Sequence, residues 1–470
     1  MPHGSGMETR VAEAEKAIRQ AFPQADLRHL VREHGYMADD PRQRAEIAAA
    51  GASCVVYFGS PTGALNLVGA RYCAALEQVD VPTLLVIPGF AEAAIIHNAA
   101  VRRSPLSYIL SDSGGFADGL VHALLRDPEP PPPAERHEPA AAALNEREAM
   151  SLVEREGWGD GLPLVLPTRD RVDAMLAGFA IEADELIADE LGPHGRRCTA
   201  RILAANAVLA GARACDLPLL AAAVRAFAEN PAARPMLSSV NSFCFALRVR
   251  GPVRRELGLQ AGFNSMGAVE HRAIERALAL VLQNVLGVRP GLSSFQVQGV
   301  PMRPVFLIVD NEEADPWQEA PARSSVTLYG GGWSHLGTYF YPDEGLDLFA
   351  AALARLEMPH SALVLLSPER ARLLASRFAK KTDLAEAIRQ QALIDMGNFR
   401  ASGYYPGRIR DRILNEGTWP RDYLNLPDDA LVPAYPPGGI QIAVVGGEGA
   451  PVMTAWKFEH LADADLDLSR

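Results

Sequence analysis

Three glycine turns and one acidic stretch carry residues that hold anions or move protons. GFNSMG (262–267) stands directly before a helical pattern that begins near Val269 and stops before Gly287. Amides at a helix N-terminus attract anions, so Gly262, Asn264, Gly267 and Arg272 are candidate binders of a carboxylate or phosphate, with His271 as an acid or base beside them. NEEADPW (311–317) follows the apolar run VFLIVD and puts Glu312 and Glu313 at a strand end. Adjacent carboxylates separate in pKa when one is buried, which suits one of them to proton transfer. YGGGWSHLGTYFYP, from Tyr329, places Ser334 and His335 beside three glycines and Trp333. Such a composition lets backbone approach a ligand under an aromatic cover, with His335 as general acid or base. VVGGEGAP (444–451) is a strand-to-glycine turn in which Gly446 and Gly447 form a candidate anion cradle, without the lysine of a P-loop. Each stretch also has a plain structural reading as a turn or a solvated acidic loop.

The elements that must position these residues alternate between helix and strand. CVVYF (54–58) reads as a buried strand, 65–78 as a helix and TLLVI (83–87) as a second strand, so the N-terminal part is a βαβ unit of a parallel sheet. Ligands of open parallel sheets bind beyond the carboxyl ends of the strands, here GSPTG (59–63) and PGF (88–90). A further helix is expected over 116–126. The stretch DPEPPPPAERHEP, with prolines at 130–133, is extended and semi-rigid by composition and marks the domain boundary. The organisation is therefore an N-terminal α/β domain (1–127), a linker (128–139) and a C-terminal mixed α/β domain (140–470) of one or two subdomains. In the latter, a helix over 139–156 leads to GWGDGLPLVLPTRDRV, whose prolines bracket a short apolar strand before a helix capped by Thr168. Helices are expected at 198–210, 217–228, 371–378 and 384–396, and strands at 243–249, 305–309, 326–329, 362–366 and 440–445. The fold class is α/β throughout.

Composition narrows the chemistry. With 48% hydrophobic and 22% charged residues the chain has ample apolar surface for packed cores. Its net charge of -12 provides no basic excess for phosphate backbones, which argues against nucleic acid as a partner. Apolar runs end well before the roughly 18 residues needed to span a bilayer, and the first residues lack the pattern of a signal peptide. A cytoplasmic protein is expected. Five cysteines, at 54, 73, 198, 215 and 244, form no CxxC pair, and those at 198, 215 and 244 read as small core hydrophobes. HExxH and GxSxG are absent, which removes the zincin and serine-hydrolase readings.

The run GSPTGALNLVGARYCAALEQVDVPTLLVI resembles the N-terminal element of UGSC-motif (seleno)proteins, themselves similar to the glycine-reductase B component. GDGLPLVLPT, GPVRRELGLQAGFNSMG, NEEADPW, LLSPERARLLA and IAVVGGEG resemble proteins that accompany or are fused to that element, so the resemblance spans roughly residues 50 to 450. It implies an α/β protein and redox or sulfur chemistry. Pro61, however, stands where the motif cysteine would fall, and Arg370 replaces a histidine of the SPEH-type segment. Proline cannot serve as a sulfur nucleophile.

The expected function is an enzyme that acts on a small polar or anionic metabolite by acid–base chemistry, bound at the glycine turns or between the domains. Asn264 and Arg272 would orient the anion, and Glu312, Glu313 or His335 would handle protons. The alternative is a non-catalytic binding or scaffold subunit that has lost the family thiol and serves a partner enzyme. No cofactor is specified by the residues, scattered His, Asp and Glu leave a metal open, and a homo-oligomer or a partner subunit fits either reading.

Overall fold

A computed structural model describes residues 5–29, 47, 50–59, 63–77, 79–102, 107–126, 145–179, 181–192, 196–230, 236–237, 242–300, 304–332, 335–339, 345–355, 361–401, 409–410 and 412–466. The proline run and the tip of GSPTG (60–62) lie outside them, as do Trp333 and Ser334. The chain divides into two compact units. The first comprises Met1–Ala143 with Leu237–Val240 and Val288–Val297; the second holds Leu144–Met236, Asn241–Gly287 and Gln298–Arg470. Two short segments from the C-terminal half therefore belong to the N-terminal unit, a return of the chain that no local pattern announces.

The first unit carries a three-stranded parallel sheet in the order β1 (Val55–Phe58), β2 (Thr83–Ile87), β3 (Tyr108–Leu110). Helices Gly63–Glu77 and Glu92–Arg102 make the crossovers. Side chains alternate across a strand, and β2 uses both faces. Leu85 and Ile87 pack with Cys73, Ala94 and Ile95 on one side, while Leu84 and Val86 pack with Ala14, Phe116 and Leu120 on the other. A strand buried on both faces reads as an uninterrupted apolar run, which is why TLLVI was legible as a parallel-sheet strand. Phe295, from the returning segment, joins the first of these clusters.

The second unit begins with helices Glu146–Arg155 and Arg169–Ala177 and with β4 (Leu186–Leu191) paired antiparallel to β5 (Arg196–Thr199). Its centre is two stacked sheets. One contains β6 (Phe243–Arg250), β7 (Val305–Val309) and β8 (Ser325–Gly332); the other contains β9 (His335–Tyr339) and β10 (Ala362–Leu366). After β11 (Leu393–Asp395) and β12 (Leu431–Pro433), which pair with each other, β13 (Ile440–Val444) and β14 (Met453–Trp456) complete the second sheet and β15 (Glu459–Asp465) the first. The orders are β15-β8-β6-β7 and β13-β10-β14-β9. Cys244, Ala246, Phe306, Ile308 and Tyr329 from one sheet meet Leu363, Leu365, Ala443, Val445 and Trp456 from the other in one cluster. The outer face of the second sheet packs on helices Gly345–Ala354 and Lys381–Gln391 through Leu346, Phe349, Leu353, Leu384 and Ile388. Helices Leu217–Glu229 and Arg272–Asn284 lie against strands of the first sheet. The result is a helix–sheet–sheet–helix sandwich.

Several expectations from the sequence are corrected. LPLVLP (162–167) forms no strand; Pro163 and Pro167 lack the N–H that a ladder needs. Cys198 lies in β5, with the helix starting at Ala200 behind the Thr199 cap. The pattern over 384–396 splits into the helix ending at Gln391 and the strand β11. Cys215 is exposed, whereas Cys198 and Cys244 are buried. Gly330, Gly331 and Gly332 are not a ligand loop but the end of β8. A Cβ at Gly330 would fall 2.8 Å from Leu461 and 2.9 Å from the Phe245 ring, and one at Gly331 would collide with the Lys457 carbonyl. These glycines admit close strand packing.

Candidate functional site

β6 runs parallel to β7, and β10 runs parallel to β13. The two parallel pairs end at the same place. The Asn311 N–H donates to the Val444 carbonyl at 2.8 Å, and the Val445 N–H donates to the Leu366 carbonyl at 2.9 Å. The turns that leave β7, β10 and β13 are thereby gathered at one edge of the sandwich, formed by the carboxyl ends of strands from both sheets, where backbone groups beyond strand ends are free to meet a ligand.

The glycine turn after β13 is held from three sides. Gly446 donates its N–H to the Ala261 carbonyl at 3.0 Å and accepts the Asn311 side-chain amide at 2.8 Å. Phe263 lies on Gly447, where a Cβ would come within 2.6 Å of the ring. From β10, Ser367 caps helix Pro368–Ala375, donates its hydroxyl to the Ala450 carbonyl at 2.7 Å and accepts the Val452 N–H at 2.9 Å. Glu369 accepts the Gly449 N–H through Oε1, while its buried Oε2 meets no donor. Arg372 pairs with Glu448 at 2.8 Å. Among the described residues, the N–H groups of Gly447 and Glu448 donate to no protein acceptor. Two free amides, one unsatisfied carboxylate oxygen and an aromatic ring thus surround one turn.

The loop that brings Phe263 to this turn is fixed by His271. Gln260 donates its N–H to His271 Nε2 at 3.1 Å, and Gly262 donates to the Gln260 side chain at 3.1 Å. Asn264 takes the left-handed conformation at φ 58°, which Asn tolerates better than most residues. Two short turns, Ser265–Gly267 and Val269–His271, precede helix Arg272–Asn284, so the helix starts three residues later than its pattern suggested. Burial pushes the His271 pKa below its ordinary value, against opposing contributions from the Glu270 charge and the Ser265 backbone. Neutral imidazole is the form that accepts the Gln260 proton. Because the folded pKa is the lower one, the contribution of His271 is complete above the unfolded value of about 6.5 and is lost as pH falls through the folded value. Melting temperature should therefore drop between pH 7.5 and pH 5 more steeply in the wild type than in His271→Gln. Parallel curves would rule His271 out as the titrating staple.

Glu312 and Glu313 lie at this edge as expected, but they are engaged by cations. Arg254, only 3% exposed, reaches Glu312 at 2.6 Å, Glu313 at 3.0 Å and the Asp310 carbonyl at 2.7 Å. Gly251 donates its N–H to Glu312 at 2.6 Å, and Arg255 adds a second cation at Glu313. Hydrogen bonding to Arg254 holds the Glu313 carboxyl at about 2, opposite to the shift a proton acceptor near neutrality needs.

Gly262, Asn264, Gly267, His271, Gly446 and Gly447 are brought together through these loops, and Arg272 follows His271 on the surface. His335 is placed elsewhere. It pairs with Trp456, which lies opposite Leu363 near the start of β10, roughly 10 Å along the strand from the edge at Leu366. Its ring stacks on Trp456 with centroids 4.9 Å apart. Ser334 lies outside the described residues. Ser367, Glu369 and Phe263 escaped sequence reasoning, although Ser-Pro-Glu directly after an apolar strand is a helix-start signal that draws attention to the first two.

Among the described residues no three or more His, Cys, Asp and Glu side chains group as metal ligands. Burial pushes the thiols of Cys198 and Cys244 up to about 12, far from the thiolate form of a nucleophile. No described helix is long and apolar enough to cross a membrane. Comparison of the chain with protein-family models, curated proteins and solved structures returns no match.

Proposed function

We propose that this protein is a cytoplasmic enzyme that binds a small anionic metabolite at the 446–449 turn and transforms it by acid–base chemistry. The observation that carries the reading is that the Gly447 and Glu448 N–H groups donate to no acceptor among the described residues, in the turn whose Gly449 N–H is held by Glu369, a carboxylate with one unpartnered oxygen. Consecutive free amides of a turn suit an anion's oxygens, and Glu369 replaces Glu312, Glu313 and His335 as the proton acceptor. Its Oε1 is occupied by Gly449, so Oε2 is the atom left for a proton. In this reading the resemblance to UGSC-motif proteins concerns architecture, with thiol chemistry lost at Pro61.

A thermal-shift screen of carboxylates, phosphates, thiols, nucleotides and divalent metals tests the proposal. Saturation at a hundred times Kd should stabilise the protein by about 2.7 kcal/mol. Glu369→Gln should preserve that shift while lowering turnover of the substrate so found by roughly 10²–10⁴-fold. Absence of a shift with every anion would remove the reading. It would favour the second one, a non-catalytic subunit of a partner enzyme, to which the proline at position 61 also points.

A further inference from the structure

We infer that the anion recognised at the 446–449 turn carries a flat apolar body that stacks on Phe263, so that the ligand class is aromatic carboxylates. The inference rests on the anion reading above and adds to it the nature of the ligand's uncharged part. Phe263 is 71% exposed, although its ring is not loosely placed. It covers Gly447, within 2.6 Å of where a Cβ would be, and its Cε1 comes within 3.8 Å of the corresponding point at Gly449. The ring therefore lies along the turn that bears the free amides, and glycine at 447 is what lets it come so close. The backbone bond from Gly446 to Ala261, the Gln260 contact with His271 and the left-handed Asn264 hold its loop in that position.

An aromatic side chain kept in water beside amides that no protein acceptor occupies has surface available for packing. A second flat ring gains most from it, because offset or edge-on aromatic pairs add to simple area burial. Met266 and Val269 are also exposed in the same loop and extend the apolar surface. A phosphate or a short hydrophilic acid would use the amides alone and leave the ring unused. The ion pair with Arg372 offsets the charge of Glu448 at the rim of the turn.

The test is an NMR or calorimetric titration of the full chain with benzoate, cyclohexanecarboxylate, acetate and inorganic phosphate. Benzoate should bind most tightly, and Phe263→Ala should weaken benzoate by roughly three- to tenfold while acetate and phosphate keep their affinity. Phe263→Leu, which retains apolar bulk without a flat face, should lose the preference of benzoate over cyclohexanecarboxylate and guards against a loop that has simply come loose. Gly447→Ala, which displaces the ring, should lose the same preference. Equal affinity for benzoate and acetate, or a benzoate preference that survives in Phe263→Ala, would overturn the inference and leave the anion reading standing. Binding of none of the four would overturn both.

Discussion

Arg248→Met should destabilise the protein by about 3–5 kcal/mol, the range seen when one partner of a buried ion pair is removed. Arg248 and Asp310 are each 8% exposed and meet through two parallel bonds, Nε to Oδ1 at 2.8 Å and Nη2 to Oδ2 at 2.6 Å. Arg248 also donates to the Ile442 carbonyl at 3.4 Å, so the pair links β6 and the residue after β7 to β13 of the facing sheet. Burial works against the charge on Arg248, and the Asp310 carboxylate more than restores it, leaving the guanidinium pKa raised. Tyr329, bonded to Gln441, adds a further polar contact in the same layer. Methionine would fill the volume of the arginine stem and leave Asp310 charged without a partner. The double variant Arg248→Met, Asp310→Leu should recover most of the loss, since a buried pair replaced by apolar residues is often neutral or better. Urea denaturation of the wild type and the two variants checks both statements; a single variant as stable as the wild type would show that water solvates Asp310.

The second large effect is expected at Arg254. Arg254→Met removes the cation from a group that holds Glu312, Glu313 and the Asp310 carbonyl together. With Arg254 gone, Glu312, whose side chain is 10% exposed, keeps only the Gly251 N–H among the described residues. A loss of about 3 kcal/mol follows from an uncompensated buried charge. The pH dependence should change in a defined direction. In the wild type the Glu313 pKa lies near 2, below the ordinary carboxylate value, so its contribution to stability is complete above the ordinary value of 4.5 and is lost as pH falls through 2. The variant should lose part of this acid-side dependence, and its stability curve between pH 5 and pH 2 should flatten. A variant curve parallel to that of the wild type would mean that Arg255 alone sustains the Glu313 shift. The measurement also bears on function, because a glutamate stabilised in its charged form by two arginines is poorly suited to accept a proton.

Much of the fold is legible in the residues alone. TLLVI, VFLIV and ALVLL are short, uninterrupted apolar runs, and each is a strand buried along its whole length. Such a run specifies burial on both faces regardless of its neighbours, so local pattern and tertiary role agree. The glycine turn after β13 and the loop before helix Arg272–Asn284 were also visible as candidate ligand elements, because glycine and Asn mark backbone conformations that other residues resist. Strands such as β9 and β15 were not visible. EHLADAD alternates weakly and carries charges, and it becomes a strand because β8 offers it a ladder.

The chemical roles of the charged residues divided along the same line. That acidic residues follow β7, that glycines follow β13 and that no thiol occupies position 61 is written in the residues. Folding, and not local pattern, brings Arg254, 58 residues before Glu312, to neutralise the acidic pair and leaves Glu369 with an unpartnered oxygen. It likewise carried His335 away from the strand-end turns and laid Phe263 on Gly447. The physical reason is range. Backbone preference and burial pattern act over a few residues and are written locally, whereas the protonation and availability of a side chain depend on partners that the chain brings near only by folding.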